Sequence, residues 1–274
     1  MGPPRAPPRG GADAGPAHGR PRGYARAVSY LPGHTSTAVD FMAARTAESH
    51  AAFFLPELAR GQRLLDCGCG PGTITVGLAQ RVAPGEVIGV DLSSEQFGRG
   101  RALAREAGLH GVRFIDARVD RLPLDDNAVD RVFAHALMEH LAAPEAALAE
   151  LRRVLAPGGR IGLCSPDWGG FLVGPPSAAL DAALAAYVEL QAQRGGDPHI
   201  GRRLGALLLA AGYRDVRLDA RYEVYADPGR IAGYLAEQLA AAGADDHART
   251  LREWAGTPAA LFAQAWVSAV AGRP

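Results

Sequence analysis

The sequence predicts an α/β protein built on a doubly wound, mostly parallel β-sheet with helices on both faces. Two observations predict this fold class. Between residues 61 and 165, short apolar runs alternate with segments of helical periodicity, which is the pattern of strands joined by crossover helices. The first apolar run also passes directly into a glycine-rich turn that opens a helix. Strands buried on both faces explain why the predicted strands are apolar throughout rather than alternating.

The predicted elements of this region follow one another as successive strand–helix units. Strands are expected at residues 64–67, 87–90, 112–115, 129–134 and 160–164, and helices at 73–82, 94–107 and 144–155. Gly108 ends the second helix and Pro157-Gly158-Gly159 ends the third, because glycine and proline are typical of helix ends.

The flanking segments have a different character. Residues 1–23 consist mainly of proline, glycine and arginine, so we expect a disordered leader. Residues 36–58 show helical periodicity and predict one or two amphipathic helices before the main domain of residues 61–274. After residue 164 we expect a Gly/Pro-rich loop insertion at about 165–198, helices at 179–194 and 200–211, strands at 216–218 and 222–225, and a helical C-terminal tail over 228–271.

The charged residues are balanced in number and unusual in type. All 29 basic residues are arginines, and 29 acidic residues bring the formal net charge to zero. A neutral chain has no long-range attraction to a phosphate backbone, so we expect no nucleic-acid partner. The lack of lysine excludes Schiff-base chemistry and lysine general bases. No run of 18 apolar residues is free of charge, so we expect no membrane insertion.

The three cysteines favour a reducing compartment. An odd, small number of cysteines fits a cytoplasmic protein better than a disulfide framework. Cys67 and Cys69 are spaced more tightly than zinc ligands usually are and have no second pair, so we predict no metal site.

Three aspartates accompany the glycine-rich turn, each at the end of a predicted strand. Asp66 precedes the turn, and Asp91 and Asp116 follow at intervals of 25 residues. A carboxylate at the end of the second strand can accept both hydroxyl groups of a ribose. The turn reads GxGxG rather than GxGxxG, and Asp66 would repel a pyrophosphate but tolerate or attract an ammonium or sulfonium group. These features speak against a dinucleotide cofactor.

Over about residues 60–165, and more loosely beyond, the chain resembles the class I S-adenosylmethionine-dependent methyltransferases. Within that class it looks most like the small-molecule branch of the ubiquinone and menaquinone biosynthesis methyltransferases. The segments that carry the resemblance are LLDCGCGPGTIT, VIGVDLS, FIDARVDRLPLDDNAVDRVF, MEHL and LRRVLAPGGRI. The resemblance implies a Rossmann-like sheet of seven strands, S-adenosyl-L-methionine as cofactor, and a helical lid over residues 24–60.

The resemblance also implies which residues contact the cofactor. Asp66 would lie near its ammonium group and Asp91 would bind its ribose. Asp66 and Asp116 could instead cap a helix or turn, and Arg45 could be a solvated charge. The further implied contacts are Gly68, Gly70 and Gly72 beneath the methionine part, Thr75 in the first helical turn, Leu92 and Ala117 against the adenine, Asp116 on its amine, His135 under the sulfonium, and Tyr30 and Arg45 at the carboxylate.

Three residues are candidates for removing a proton from the acceptor molecule. His140 follows the fourth strand and is the leading one, because an imidazole titrates near working pH. It could equally be a structural histidine at a helix start. His34, in the segment before the core, and Asp167, which opens the loop after the fifth strand, are the other two.

Two motifs that the sequence lacks narrow the range of acceptor molecules. The (N/D)PP(Y/F) motif that nucleic-acid amino-methyltransferases carry after the fourth strand is replaced by Ala134-His135-Ala136-Leu137, and no catechol-type metal triad is evident. We therefore predict methyl transfer to the O, N, S or C centre of a small molecule, such as a secondary metabolite in antibiotic biosynthesis or a quinone-like compound. The alternative is a protein of the same fold that binds the cofactor without methylating, as a cyclase or a regulatory partner. The sequence is compatible with a homodimer but does not determine the oligomeric state.

Overall fold

The computed structural model describes residue 2 and residues 36–274, so the predicted leader, Tyr30 and His34 lie outside the described residues. The described chain begins with two short helices, α1 (Ser36–Ala43) and α2 (Ala47–His50). The strands and helices that follow are β1 (Leu64–Cys67), α3 (Thr73–Val82), β2 (Val87–Asp91), α4 (Phe97–Glu106), β3 (Val112–Asp116), β4 (Val129–His135), α5 (Pro144–Val154), β5 (Leu155–Pro166), β6 (Leu172–Gly174), α6 (Ala178–Gln193), α7 (Leu204–Ala210), β7 (Arg214–Val224), α8 (Pro228–Ala241), α9 (Asp245–Ala255) and β8 (Leu261–Gly272).

The described strands form one twisted sheet with a parallel half and an antiparallel half. Its order is β3-β2-β1-β4-β5-β8-β6, and β7 pairs with β8 as well. Strands β1 to β5 are parallel to one another, and Leu64 of β1 lies in register with Val87 and Arg131. Strand β8 runs antiparallel to β5, β6 and β7. The α/β, mostly parallel fold class is therefore confirmed, with an eighth strand where seven were predicted.

The parallel half agrees with the sequence prediction, and the C-terminal part does not. The predicted strand 64–67 and helix 73–82 coincide with β1 and α3. The two strands predicted at 216–218 and 222–225 are a single strand, β7, and β6 lies inside the predicted loop. The helical tail predicted for 228–271 is wrong beyond α9, because residues 261–272 form β8, which is hydrogen-bonded on both sides by β5 and β7.

Helices cover both faces of the sheet. On one face α5 and α7 pack through residues such as Leu148 and Leu208, and on the other α3 packs through Leu78 beside Phe54 and Phe133. A separate apolar cluster joins α6, α8 and α9 to Trp168 and the start of β8. None of the helices between residues 36 and 274 is both long and apolar enough to cross a bilayer.

Two glycines of α4 predict opposite responses to the same substitution. A Cβ at Gly100 would lie 2.5 Å from the Phe114 ring, whereas a Cβ at Gly98 would meet nothing within 4 Å. We expect Gly100→Ala to lower the free energy of unfolding by about 1–3 kcal/mol through overpacking. Gly98→Ala, the matched control, should raise it by about 0.5–1 kcal/mol because it restricts the unfolded chain. Urea denaturation measures both, and equal effects of the two substitutions would contradict this packing.

Candidate functional site

A cavity of about 600 Å³ lies at the carboxyl ends of β1, β2 and β4. This is the edge at which doubly wound sheets bind ligands. One end of the cavity is formed by the glycine-rich turn and the ends of β1 and β2, and the other by aromatic side chains of α6, α8 and β8. The glycine-rich turn and the apolar cluster of α6, α8 and α9 therefore face the same cavity.

The glycine-rich turn brings main chain rather than side chains to the cavity. Gly72 begins α3 in the left-handed region with φ of 78°, and a Cβ there would lie 2.8 Å from the Phe114 ring. Only glycine fits this position without displacing the ring. Gly68 donates its N–H to the Val90 carbonyl at 2.8 Å, which attaches the turn to the end of β2. Gly68 and Gly70 line the cavity and Gly72 does not, so the predicted contacts of these glycines with a cofactor stay predictions.

Asp91 closes β2 and holds the turn in place. One carboxylate oxygen accepts the Gly70 N–H at 2.9 Å, and the other accepts the Ser93 N–H at 3.3 Å. The side chain is half-buried in the cavity wall, and Leu92 beside it lines the same wall with 61% of its surface exposed. A carboxylate fixed by main-chain donors can accept further hydrogen bonds from a ribose, because each oxygen has two lone pairs.

Asp66 is a buried carboxyl group at the end of β1. The Thr75 hydroxyl donates to it at 2.6 Å, so the role of Thr75 in the described structure is to hold Asp66. Burial raises the pKa of Asp66 to about 7, and nearby Asp91 adds to that rise against the Thr75 hydrogen bond. Within residues 36–274 no basic side chain pairs with Asp66. A primary ammonium group would supply the missing cation, so the residues present fit the methionine end of S-adenosylmethionine.

Two of the residues predicted to contact the adenine, Asp116 and Ala117, lie at the end of β3. Asp116 lies in register with Asp91, but its side chain is exposed and is not part of the cavity wall. Ala117 does line the cavity, yet its N–H already donates to the Asp91 carbonyl at 3.0 Å. The amide of Ala117 is therefore occupied by the sheet, and the adenine contact of Asp116 stays a prediction.

His135 lies at the middle of the cavity in an apolar setting. Its ring stacks on Trp266 with the centroids 4.6 Å apart and meets the edge of His50 at 5.0 Å. No residue in the described part of the chain hydrogen-bonds either ring nitrogen. Burial, reinforced by the charge of Arg45, holds the pKa of His135 well below its usual range, so the ring is neutral. A neutral ring stacked on an indole is a contact surface rather than a base.

Arg45 brings a positive charge to the cavity wall. Its guanidinium group lies 5.5 Å from the ring centres of both Phe41 and Trp266, which is within cation–π range. No carboxylate of residues 36–274 forms an ion pair with it. A guanidinium without a carboxylate partner in the described chain fits the predicted carboxylate contact.

His140 and the preceding Glu139 form a buried pair in the cavity wall. Their side chains are 12% and 3% exposed, and His140 Nε2 lies 3.7 Å from Glu139 Oε1. Burial, with the charge of Arg45, lowers the pKa of His140 to about 3. Burial raises the pKa of Glu139 to about 7, although its own N–H, the Ser165 hydroxyl and Arg45 oppose the rise. Glu139 is not predicted as a site residue from the sequence, where its only signal is an acid beside the candidate base in MEHL.

The prediction of a second base at Asp167 is contradicted by its surroundings. Arg202 binds both carboxylate oxygens, with Nε at 2.7 Å and Nη2 at 2.6 Å, and the N–H of Gly169 also donates to the carboxylate. Although its neighbours Pro166 and Trp168 line the cavity, Asp167 does not. Burial is the largest single effect on the pKa of Asp167 and would raise it, but the hydrogen bonds from Arg202 and the Gly169 N–H, together with the Arg202 charge, outweigh burial and lower the pKa. Asp167 therefore anchors the loop after β5 to the segment that carries His199, which lies 3.7 Å away.

The buried carboxyl of Glu139 predicts a pH-dependent stability. Its folded pKa of about 7 lies above the ordinary glutamate value of 4.5, so the folded state keeps a proton that the unfolded state has lost. The free energy of unfolding should therefore fall as pH rises from about 4.5 to 7. We expect Glu139→Gln to raise the melting temperature at pH 8 and to leave it nearly unchanged at pH 5. Glu145→Gln, exposed in the first turn of α5, is the control, and the same pH pattern in both variants would contradict the assignment.

Comparison with known sequences identifies relatives over the same part of the chain. The methyltransferase domain family matches residues 65–163. An uncharacterized methyltransferase of Schizosaccharomyces pombe is 35% identical over 190 residues, which are 67% of this chain and 68% of that protein. The probable methyltransferase ltbC of Aspergillus luteorubrus is 39% identical over 140 residues, or 48% and 49% of the two chains. The ubiquinone/menaquinone biosynthesis C-methyltransferase UbiE of Idiomarina loihiensis is 36% identical over 104 residues, or 37% and 41%. The chain thus spans about half the length of several curated relatives.

Solved structures share the fold at low sequence identity. The YcgJ protein of Bacillus subtilis superposes with a TM-score of 0.58 at 20% identity, over 81% of this chain and 97% of that one. The cyclase SpnF superposes with a TM-score of 0.51 at 23% identity, over 86% and 80%. Phosphoethanolamine N-methyltransferase 2 of Haemonchus contortus, in complex with S-adenosyl-L-methionine, gives 0.52 at 18%, over 79% and 49%. These likenesses concern the fold.

Proposed function

Because the chain belongs to the S-adenosylmethionine-dependent methyltransferases, we propose that it transfers a methyl group from S-adenosylmethionine to a small-molecule acceptor. The acceptor classes we favour are a secondary metabolite, as in antibiotic biosynthesis, and a quinone-like compound. The setting we propose is the cytoplasm, in keeping with three buried cysteines that form no disulfide in the described chain.

The observation that carries this proposal is the extent of the cavity. It runs from Asp91 and the glycine-rich turn to Trp168 and Tyr187, and its volume of about 600 Å³ falls within the range of small-molecule sites, roughly 300–1,000 Å³. One continuous space with acidic groups at one end and aromatic groups at the other suits two ligands lying end to end. A large polymeric acceptor would need an open surface beside the turn instead.

The residues around the cavity divide the work of the reaction. When bound, S-adenosylmethionine supplies an electrophilic methyl group on a positively charged sulfur. We propose that Asp91 and Asp66 fix the ribose and amino ends of the cofactor, and that Arg45 pairs with its carboxylate. His135 and Trp266 provide an apolar wall that excludes water near the reacting centre. Glu139 and His140 lie where a proton released by the acceptor can be taken up.

The test is turnover in the presence of the native metabolites. The purified chain, incubated with S-adenosylmethionine labelled in its methyl group and a small-molecule extract of the source organism, should release S-adenosylhomocysteine and transfer the label to one extract component. The Asp91→Ala variant is the control for cofactor-independent labelling. A protein that binds S-adenosylmethionine but transfers no label to any extract fraction would support the alternative of a non-methylating cofactor-binding protein, and would overturn the proposal.

A further inference from the structure

Three buried oxygen atoms in the wall of the cavity have no hydrogen-bond partner of normal geometry among the described residues. They are Oε2 of Glu139, Oε1 of Gln191 on α6 and Oε1 of Gln264 on β8. Each of these residues is only 2% exposed, and each lines the cavity. A buried acceptor left without a donor costs free energy, so such atoms commonly mark where a ligand or water binds.

The orientation of the two glutamine side chains is fixed by the main chain. Gln191 donates its Nε2–H to the Glu139 carbonyl at 3.3 Å, and Gln264 donates its Nε2–H to the Ala265 carbonyl at 3.2 Å. With the amide nitrogens committed, each side chain has its carbonyl oxygen left over as an acceptor. This part of the wall therefore offers hydrogen-bond acceptors and no matching donors from these glutamines.

The charges of the cavity disfavour an ionised ligand at this wall. Arg45 lies close enough to lower the pKa of His135 and His140, and the same field opposes the binding of a cationic amine. An anionic ligand would face two glutamine carbonyl oxygens that offer no donor, and the Glu139 carboxyl, which repels an anion once it is ionised. A neutral ligand that donates hydrogen bonds satisfies all three oxygens without either penalty.

The remaining surface of this end of the cavity is flat and aromatic. Phe41 stacks on Tyr234 with the ring centres 4.7 Å apart and an angle of 10° between the planes. Trp168 and Tyr187 pack with their centres 4.7 Å apart. All four rings line the cavity. Planar walls of this kind favour a ligand with a flat ring system.

We propose that Glu139, Gln191 and Gln264 form a hydrogen-bond-accepting wall that selects an uncharged acceptor carrying two or more hydroxyl groups on a flat ring system. This inference rests on the proposed function, because it specifies the acceptor of the same site. It assigns Gln191 and Gln264 as residues that determine specificity. The hydroxyl group nearest Glu139 and His140 is the one whose proton this pair can take up.

The test compares two probes with the same ring system, one with two hydroxyl donors and the other with methyl ethers in their place. Isothermal titration calorimetry of the full chain, with saturating S-adenosylhomocysteine, should show 2,7-dihydroxynaphthalene binding at least about tenfold more tightly than 2,7-dimethoxynaphthalene, which keeps the ring and loses both donors. Gln191→Met should reduce that ratio of dissociation constants about three- to tenfold, as expected for one lost hydrogen bond. Gln193→Met, exposed two residues later on α6, is the matched control and should keep the wild-type ratio.

The ratio is internal to each variant, so a general loosening of the structure affects both probes alike. Equal affinities for the two probes, no saturable binding of the dihydroxy compound, or tighter binding of 2-naphthylmethylammonium or 2-naphthoate would overturn the inference. Binding of S-adenosylhomocysteine to each variant is measured beforehand in a separate titration. If it binds and the hydroxyl preference is absent, the inference fails while the proposed function stands; if it does not bind, the proposed function itself fails.

Discussion

Asp91→Ala is expected to weaken the binding of S-adenosylhomocysteine at least about 100-fold while the protein remains folded. The carboxylate is the acidic group best placed in the cavity to accept both ribose hydroxyl groups. Hydrogen bonds to a charged group contribute about 1.5–3 kcal/mol each, so two of them together amount to roughly 3–6 kcal/mol, or about 10²–10⁴-fold in affinity.

The loss should exceed the ribose contacts alone, since Asp91 also holds the turn. Without its carboxylate, the N–H groups of Gly70 and Ser93 lose their acceptor, and the glycine-rich turn keeps only its main-chain hydrogen bonds to Val90 of β2. Asp91→Asn separates the two effects, because its amide oxygen can still accept the Gly70 N–H while the negative charge is gone. We expect Asp91→Asn to bind more tightly than Asp91→Ala and more weakly than the wild type.

Calorimetry with S-adenosylhomocysteine measures these affinities, and thermal unfolding without ligand checks that each variant is folded. Asp246→Ala, exposed at the start of α9, is the control for removal of one negative charge and should bind like the wild type. Asp116→Ala tests the adenine contact predicted for the end of β3. An affinity for Asp91→Ala within threefold of the wild type would refute the assignment of the cofactor motif.

The cofactor end of the site could be predicted because its parts are contiguous in sequence. Asp66, the glycine-rich turn and α3 follow one another within about ten residues, and Asp91 ends the next strand. Parallel strands place these segments at one edge of the sheet without further information. What the sequence did not reveal was local detail, such as the commitment of the Thr75 hydroxyl to Asp66.

The acceptor end could not be predicted because it is assembled from distant segments. Glu139, Gln191 and Gln264 lie on a turn, a helix and a strand separated by 52 and 73 residues, and each is an ordinary polar residue in its own segment. Asp167 failed as a predicted base for the same reason. Its partner Arg202 is 35 residues away, and only the fold reveals that the carboxylate is already neutralised.

Strand β8 shows where local preference misleads about the fold itself. The segment is rich in alanine, which favours helices, so its sequence predicts that the helical tail continues through it. In the structure, small side chains such as Ala269 and Ala271 pack into the core on one face of the sheet, while both edges of the strand are hydrogen-bonded. Pairing with β5 and β7 outweighs the helix propensity of alanine.

His140→Ala is expected to lower turnover by about 10²–10⁴-fold if this imidazole takes the acceptor's proton, which is the range for general-base catalysis. The pKa of about 3 keeps the ring neutral at every working pH, so it is always able to accept a proton, but it is a weak base on its own. Glu139 at 3.7 Å can stabilise the imidazolium that would form, or accept the proton itself. His110→Ala, exposed between α4 and β3, is the control and should leave turnover unchanged.

The pH dependence of turnover decides which member of the pair accepts the proton. Since the pKa of Glu139 is about 7, a wild-type rate that depends on its carboxylate should rise as pH increases through about 7 and level off above it. The groups facing this carboxyl are His140 on the same turn, Arg45, Ser165 at the end of β5 and Tyr234 on α8. Glu139→Gln should lower the rate and abolish the rise. A base that titrates between pH 5 and 9 makes the rate change at its pKa. A flat wild-type profile over this range, with less than a threefold loss in His140→Ala, would therefore assign both residues to packing.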